Sequence, residues 1–460
     1  MTFKTKKTSL ASVIFMFIFI SLIAGGGFVF FSPMFEKNKP TIDIQNNIFW
    51  NLHSKLSIKL SDDSGIKFYK IIFKDGNKEI VLAQEILPIP SKQLDLQIDP
   101  PKLDMFYKKD KAIIQVQVVD NSKWNYMNGN VAIKNINVKI DKKKPTANIV
   151  NNSRYIQRGG SAIVVVQVKD KNLKEAYISF NNKIKFKLTP YLKESYFVAL
   201  IAWPIDIKKF KRVNLVAIDK ANNQTVTKVP LYIQNARLKK DNIKLSENFI
   251  KNVSTNVLEQ SNMQVPQTLE EIFIYSNKEL RAKNLKTIKE VGDKAIDTTS
   301  IIDSFNIKRF RRLRGSKTVA SYGERRSYYL DGKKINEAWH LGIDMASIKH
   351  APIKISNDGV VVYKNYLGLY GNAIIVKHSL GLCSLYAHTS TQNVELGDSV
   401  TAGQKIANTG STGGVFGDHL HFGIIVQGYE VNPLEWMDSH WIKGRITKVL
   451  KNAKKQILSK

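Results

Sequence analysis

The most constraining feature of this chain is a run without charged residues near its N-terminus, from Ser9 to Phe31. The run is long enough to cross a bilayer as a helix, which needs about 20 residues. Lys4, Lys6 and Lys7 precede it, and basic residues beside a membrane helix favour the cytoplasmic side. No small-x-small cleavage site closes the run, which favours an uncleaved signal anchor and leaves a cleaved signal peptide as the alternative.

This interpretation divides the start of the chain into a cytoplasmic stub at residues 1–8 and a transmembrane segment at residues 9–31. The segment would contact inner-membrane lipid, and its single pass would place the bulk of the chain in the periplasm or cell envelope. The only cysteine, Cys383, excludes an internal disulfide. It lies in an apolar stretch and is predicted to pack in a core rather than to act as a nucleophile.

Histidines are concentrated near the C-terminus, where seven of the eight lie at or after His340. Two motifs stand out, His340-Leu-Gly-Ile-Asp344 and His419-Leu420-His421. Histidine is the commonest metal ligand, and one His and one Asp of the first motif with one His of the second would offer a zinc ion two nitrogens and one oxygen. The fourth position would stay open for water, which is typical of a catalytic rather than a structural site.

The second motif continues into Gly423-Ile-Ile-Val-Gln, which predicts a β-strand. Residues i and i+2 of a strand point to the same face, so His419 and His421 are expected to face one cavity. Only one of them need bind metal, and the other could transfer protons. The segment Tyr386-Ala387-His388-Thr389 ends another apolar run, so His388 could face the same cleft. The chain has no His-Glu-x2-His pattern, which argues against a thermolysin-like site.

These motifs and their order resemble the lysostaphin/LytM-type zinc peptidases, which cut the peptide cross-links of peptidoglycan. The resemblance extends from about Ser321 to Trp436. Besides the histidine motifs it includes the segments Ser321-Tyr-Gly323-Glu-Arg325-Arg326, Asp358-Gly359-Val360-Val361, Tyr370-Gly371-Asn372, Gly397-Asp398-x-Val400-x2-Gly403-Gln404, Gly410-Ser411-Thr412-Gly413 and Val431-Asn432-Pro433. The resemblance implies a small antiparallel β domain of the duplicated-hybrid-motif type, with a groove across it.

The resemblance also implies roles for individual residues. His340, Asp344 and His421 would bind one zinc ion per catalytic domain. His388 and His419 would be the pair that orients and deprotonates the attacking water. All five residues are present in this sequence. This argues against the chain being one of the degenerate family members that have lost metal ligands.

The sequence departs from the family's usual residues in three places: His350, Thr389 and the segment Phe416-Gly417-Asp418. None of them removes a ligand. They are therefore expected to affect substrate preference rather than metal binding.

The implied function is a zinc-dependent endopeptidase that hydrolyses peptidoglycan cross-links. In a Gram-negative host the implied bond is D-Ala–meso-diaminopimelate, and another cell wall would imply another bond, such as a glycine bridge. A second hypothesis is a non-catalytic scaffold that binds the wall or activates an amidase, which predicts no zinc and survival of function in His421→Ala. A third is a component of an export complex, in which residues 36–235 would matter more than zinc.

The chain is strongly basic, with 70 Lys and Arg residues, 39 Asp and Glu residues and a formal net charge of +31. Such a charge is typical of nucleic-acid binding, but the lysines are spread along predicted strands and match no nucleic-acid module. An exported chain seldom meets nucleic acid, so none is predicted as a partner. The carboxylates of peptidoglycan or the phosphates of a membrane surface suit this charge better.

Residues 36–142 and 145–235 are predicted to be two copies of an Ig-like β-sandwich module, because each alternates apolar residues and closes its strands with acidic turns. His53 is their only histidine, so we expect a spacer or a docking arm for protein partners. Exposed Trp124 or Trp203 could bind sugar, but packing is the favoured role for each.

Residues 241–314 predict a helical and basic connector, with apolar residues at helical spacing on both sides of Pro266. In related enzymes such segments often pack over the groove, so self-inhibition is a hypothesis. The basic cluster at its end, Lys308–Arg314, could contact glycan or form an exposed linker. Residues 318–438 are assigned to the peptidase domain, and residues 441–460 form a basic amphipathic tail that could bind a membrane, pack on its own domain or fray.

The predicted fold class is therefore mostly β. It comprises an N-terminal transmembrane helix, two β-sandwich modules, a helical connector and a C-terminal antiparallel β domain.

Overall fold

The computed structural model describes residues 9–76, 78–104 and 106–459, so the predicted stub at residues 1–8 lies outside the described residues. The chain divides into two compact units, Met1–Lys144 with Ile218–Asn223, and Pro145–Ala217 with Gln224–Lys460. The predicted fold class is confirmed: the chain is mostly β, with an apolar N-terminal helix, a helical connector and a C-terminal β domain.

The N-terminal helix spans Leu10–Phe31, and the side chain of Ser9 caps it by accepting a hydrogen bond from the backbone N–H of Ser12. None of its residues is buried. Its length and its mean hydropathy of 2.5 meet the requirements of a membrane span. A signal sequence meets the same requirements, so the two interpretations of this segment both stand.

In the described residues of the first β module, six strands are joined in one sheet, preceded by a short 3-10 helix at Pro33–Phe35. The strands are Thr41–Asp43, Asn47–Trp50, Leu56–Lys74, Glu79–Ile98, Lys111–Asp120 and Val131–Ile140. Alternate residues of Lys111–Asp120 are buried, among them Ile114, Val116 and Val118. This period of two is the pattern expected where one face of a strand packs on a core.

The second β module is built mainly from two four-stranded sheets. One sheet has the order Ile184–Lys187, Leu173–Phe180, Val213–Asp219, Gln224–Lys228, and the other has the order Thr189–Pro190, Tyr196–Ala202, Ser161–Lys169, Thr146–Asn152. A parallel pair, Tyr155–Gln157 and Tyr232–Gln234, completes the module. Trp203 is buried against the rings of Phe180 and Phe210, as its packing interpretation predicted.

The second β module shares a continuous hydrophobic core with the C-terminal domain. The residues from Ala162 to Val166 are all fully buried, although alternate side chains of a strand point to opposite faces. Glu435 of the C-terminal domain accepts hydrogen bonds from the Ser161 N–H at 2.8 Å and from Gln157 Nε2 at 2.9 Å. The module is therefore part of the scaffold on which the C-terminal domain is built.

The connector begins with strand Lys240–Lys244 and continues with two helices. The first helix consists of Glu247–Phe249, a π-helical turn at Ile250–Ser254, and Thr255–Gln260; the second consists of Leu269–Ile274, a π-helical turn at Tyr275–Leu280, and Arg281–Lys294. Thr268 and Glu271 form a capping box at the start of the second helix. Strand Lys240–Lys244 pairs in parallel with Arg325–Leu330, which attaches the connector to the C-terminal domain.

The C-terminal domain is organised around an eight-stranded sheet. Seven strands follow in the order Lys317–Ala320, Ile343–Ala346, Leu420–Val426, Leu382–Ala387, Asn372–Lys377, Gly359–Tyr366, Ser399–Val400, and Tyr429–Val431 pairs with Leu420–Val426. Two three-stranded sheets flank it: Lys240–Lys244, Arg325–Leu330 and Lys333–Trp339 form one, and Pro352–Lys354, Lys405–Thr409 and Thr389–Gln392 form the other. Short 3-10 helices lie at Gly368–Tyr370 and Ser379–Gly381.

The chain ends in helices at Pro433–Met437, Ser439–Ile442, Lys443–Thr447 (π-helical) and Lys448–Leu458. In the last helix Val449, Leu450, Ala453 and Ile457 are buried in the core shared with the second β module. Of the three interpretations of the tail, the structure therefore shows packing on its own unit.

Candidate active site

The pairing of the central strands brings the histidine motifs to one place. Asp344 lies directly opposite His421 on the neighbouring strand, and Ala387 lies opposite His421 on its other side. His388 follows the strand that contains Ala387, and His419 precedes the strand that contains His421. Cross-strand neighbours are about 5 Å apart, so residues separated by up to 81 positions in the sequence meet here.

His340, Asp344 and His421 form a buried group whose nitrogen and oxygen atoms all lie within 4.8 Å of one another. His340 Nε2 is 3.0 Å from Asp344 Oδ2, and His421 Nδ1 is 2.8 Å from Asp344 Oδ1. The two histidine nitrogens are 3.2 Å apart. Two imidazole nitrogens and one carboxylate oxygen are a donor set that suits zinc and leaves a fourth position open.

Hydrogen bonds indicate which nitrogen of each histidine in this group is free. His340 Nδ1 donates to the Ser321 carbonyl at 2.9 Å, which leaves the lone pair of Nε2 for the group. His421 uses Nδ1 in the group, and its Nε2 is buried without a hydrogen-bond partner among the described residues. The ring of His421 fits here because residue 342 is glycine: a Cβ on Gly342 would overlap it.

The remaining two predicted residues, His388 and His419, lie beside this group, with their ring centroids 4.9 Å apart and their ring planes tilted by 47°. His388 Nδ1 donates to the Thr412 carbonyl, and His419 Nδ1 donates to the Gly417 carbonyl, each at 2.8 Å. Each Nε2 is thereby left able to accept a proton. His388 has φ +61, a left-handed conformation that is unfavourable for a residue with a Cβ and is typical of functional sites.

Burial determines the charge states in the site. It lowers the pKa of His421 to about 4 and of His388 to about 3, so both imidazoles are neutral at pH 7. Burial alone would raise the pKa of Asp344, but the interactions with His340 and His421 outweigh it and hold that pKa well below its usual value. Neutral imidazoles and an ionised carboxylate are the forms that bind metal and accept protons.

A buried Tyr–Glu pair supports the site. The ring of Tyr370 stands perpendicular to that of His421, at 5.3 Å between centroids, and its hydroxyl lies 3.0 Å from both carboxylate oxygens of Glu430. The pKa of Glu430 is raised to about 8, because burial penalises its charge. The Tyr370-Gly371-Asn372 motif indicates from the sequence that Tyr370 belongs to the site. Nothing in the local sequence indicates that Glu430 does.

A cavity of about 360 Å³ lies between this site and the connector. His340, Asp344, His388 and His421 line one side, and connector residues from Ile243 to Arg281 line another. The ring of Phe249 in the connector contacts that of Phe416 at a centroid distance of 4.8 Å. The connector therefore forms a wall of the cavity.

Cys383 is fully buried beneath the connector, in a cluster with Ile288 and Tyr370. Burial raises the pKa of its thiol to about 12. The prediction that it packs in a core is confirmed.

A β domain that gathers a His–Asp–His group beside two further imidazoles is of the kind found in metal-dependent hydrolases. The family model described as Peptidase family M23 matches residues 338–433. The protein "Lipoprotein NlpD" of Yersinia enterocolitica is 45% identical over 95 residues, which are 20% of this chain and 97% of that sequence. The chain belongs to peptidase family M23.

Other relatives match a smaller share of their own length. "DD-carboxypeptidase/endopeptidase Mpg" of Neisseria meningitidis serogroup B is 41% identical over 95 residues, covering 21% of this chain and 22% of that protein. "Murein hydrolase activator NlpD" of Escherichia coli is 46% identical over 103 residues, covering 22% of this chain and 27% of that protein. Among solved structures, the catalytic domain of lysostaphin from Staphylococcus simulans is 30% identical, covers 28% of this chain and 96% of its own, and has a TM-score of 0.24.

Proposed function

We propose that this chain is a zinc-dependent endopeptidase that hydrolyses the peptide cross-links of peptidoglycan. The observation that carries the proposal is the intact set of five side chains: a buried His–Asp–His group with the imidazoles of His388 and His419 beside it. Membership of peptidase family M23 supports it, and so does the relative named DD-carboxypeptidase/endopeptidase.

In this proposal His340 Nε2, a carboxylate oxygen of Asp344 and His421 Nδ1 would hold one zinc ion. Such an ion would lower the pKa of a bound water to about 7 and polarise the scissile carbonyl. His388 or His419 takes a proton from the attacking water at Nε2, because Nδ1 of each already donates to a carbonyl. The protonated imidazole then donates to the developing oxyanion and returns its proton to the leaving amine.

The proposed bond is D-Ala–meso-diaminopimelate, and the proposed location is the periplasmic side of the inner membrane. The helix Leu10–Phe31 would be the anchor. The net charge of +31 would concentrate the chain near the anionic wall. We keep the domain boundaries proposed from the sequence, so that the peptidase activity would belong to residues 318–438.

We also infer that the connector restrains the enzyme. It forms one wall of the cavity, is attached by the strand pair Lys240–Lys244 and Arg325–Leu330, and packs Phe249 on Phe416. A cross-linked glycan polymer needs an open groove, so the connector would have to move before the wall itself could be cleaved.

The experiment uses the full chain in detergent, incubated with purified peptidoglycan with and without a zinc chelator. We expect chelator-sensitive loss of cross-linked dimers, identified by the masses of the soluble fragments. His388→Ala should abolish the loss, and His440→Ala, at an exposed position just beyond the peptidase domain, should not. Cleavage that survives the chelator would contradict the proposal.

A second candidate function is activation of an amidase, favoured by the 46% identity to the relative named murein hydrolase activator. A single variant distinguishes the two candidate functions. His421→Ala should destroy an endopeptidase, whereas an activator should still stimulate an added amidase.

A further inference from the structure

The cavity beside the metal-binding group contains unused hydrogen-bond donors on two of its walls. Arg326 and Asn277 both line it. In the part of the chain that the structure describes, Arg326 Nε and Asn277 Nδ2 are buried and have no hydrogen-bond partner. Asn277 is only 5% exposed. More than 90% of buried polar groups in proteins are paired, so two unpaired donors around one cavity indicate a ligand that supplies acceptors.

Arg326 is held beside the metal-binding group. Its Nη2 is 3.4 Å from Glu324 Oε2 and 3.6 Å from Asp344 Oδ2. Glu324 is itself fixed, because its Oε1 accepts a hydrogen bond from the Ser321 N–H at 2.8 Å. A guanidinium has five N–H donors in one plane, and these contacts leave the Nε edge of Arg326 available.

Asn277 is oriented by its neighbour on the same helix. Arg281 Nη2 donates to Asn277 Oδ1 at 2.6 Å, and Arg281 Nε donates to the Asn277 carbonyl at 3.2 Å. The oxygen of the Asn277 amide is therefore occupied, and its NH2 group is the part that remains unpaired.

The charge of the cavity wall indicates the kind of acceptor. Lys244, Arg281 and Arg326 line it, whereas Asp344 is the only acidic residue among the lining residues that the structure describes. Arginine recognises carboxylates through two parallel N–H donors. The wall therefore suits an anionic peptide better than an uncharged one.

We propose that Arg326, together with Asn277 in the same cavity, binds a free carboxylate on the residue whose amine leaves during hydrolysis. This inference rests on the proposed peptidase function and names its substrate class. In a D-Ala–meso-diaminopimelate cross-link, the carbon that carries the leaving amine also carries a free carboxylate, whereas an internal residue of a glycine bridge has none. Hydrolysis breaks the C–N bond, adds the water's hydroxyl to the acyl carbon and a proton to the amine, and leaves this carboxylate unchanged.

The test compares two short peptides that differ only at this position, one with the free carboxylate and one with a carboxamide. The wild-type full chain in detergent is expected to cleave the carboxylate peptide with a kcat/KM about 10- to 100-fold higher, the range of a charge-assisted hydrogen bond. Arg326→Gln should lose this ratio while still cleaving both peptides and binding zinc. Arg325→Gln is the matched control, because Arg325 is the adjacent arginine, bonds Glu337 and does not line the cavity.

The ratio of kcat/KM for the two peptides distinguishes a role of Arg326 in substrate recognition from a role in positioning Asp344. If Arg326 only positioned Asp344, its loss would lower zinc content and slow both peptides equally, and the inference would be wrong. A wild-type protein that cleaves both peptides equally well would also overturn it and leave the peptidase function standing.

A binding measurement makes the test independent of turnover. Calorimetry on chelator-treated protein gives the affinity for each peptide. Tighter binding of the carboxylate peptide, lost in Arg326→Gln, would support the inference even if no cleavage occurred, and equal affinities would contradict it.

Discussion

Asp344 and His421 face each other across two neighbouring antiparallel strands, and Asp344 Oδ1 lies 2.8 Å from His421 Nδ1. The register of this strand pair places a carboxylate between two imidazoles. His340 approaches from the other side, with Nε2 3.0 Å from Asp344 Oδ2. The proposed metal-binding group therefore depends on strand pairing and not on a single contiguous motif.

The two classes of site histidine should respond differently to substitution. His421→Ala removes a member of the metal-binding group, so zinc content and cleavage of peptidoglycan should be lost together. His388→Ala should retain zinc and lose turnover by about 100- to 10,000-fold, the usual contribution of a general acid–base. Metal analysis of the purified full chain and dimer release from peptidoglycan measure the two effects. Normal cleavage by His388→Ala would disprove its assigned role.

Gly342 is predicted to be essential for metal binding although it offers no ligand atom. In Gly342→Ala the new Cβ would overlap the ring of His421 and the backbone carbonyl of Phe422, so the ring and the strand that carries it must shift. We expect zinc affinity to fall about 10- to 100-fold, as for other residues that orient a ligand. Competition with a chromogenic chelator measures the affinity. Gly444→Ala, where a Cβ meets nothing within 4 Å, is the control, and an equal loss there would refute the steric explanation.

The residue types at the site could be predicted from the sequence because few side chains bind zinc and because a strand places residues i and i+2 on one face. The partners of those residues could not. Glu430 reaches Tyr370 from 60 positions away, and Arg326 Nη2 lies 3.6 Å from Asp344 Oδ2 although the two residues belong to strands of different sheets. Registers between distant strands depend on the whole sheet, so no local pattern indicates them.

The two β modules show a similar limit. Period-two patterns correctly predicted strands, but the role of the second module as scaffold was missed. A signal for it was present in the unbroken apolar run Ile163–Val166, because a strand buried on both faces loses its alternation. What packs on the second face, here the C-terminal helices, cannot be inferred from the run alone.

Loosening the connector should increase cleavage of intact peptidoglycan. Phe249→Ala removes the ring contact with Phe416, and an aromatic pair contributes about 0.5–1.5 kcal/mol. If the closed connector limits access, hydrolysis should rise roughly 2- to 12-fold by the corresponding shift in population. The rate of dimer release measures this effect. Phe106→Ala, at a phenylalanine that is 76% exposed in the first β module, is the control. An unchanged or lower rate in Phe249→Ala would show that the connector does not restrain the enzyme.

Stability of the C-terminal domain should fall as the pH drops below neutrality, because of a histidine outside the active site. His378 is buried, with Nδ1 2.7 Å from the Asp358 carbonyl and Nε2 2.9 Å from Ser384 Oγ. Burial lowers its pKa from 6.5 to about 4. Since the folded-state pKa is the lower one, protonation favours the unfolded chain. The stabilisation is complete above pH 6.5, decreases as the pH falls, and is lost by about pH 4.

The shift corresponds to about 3 kcal/mol of unfolding free energy across that pH range. Urea titrations between pH 7 and pH 4 should therefore show a smaller pH dependence in His378→Gln than in the wild-type chain. His440→Gln, at an exposed position, controls for the loss of a histidine. Because the comparison uses the change with pH and not the absolute stability, any packing defect caused by the glutamine cancels. Equal pH dependence in His378→Gln and the wild type would mean that His378 is protonated in the folded chain at much the same pH as in the unfolded one.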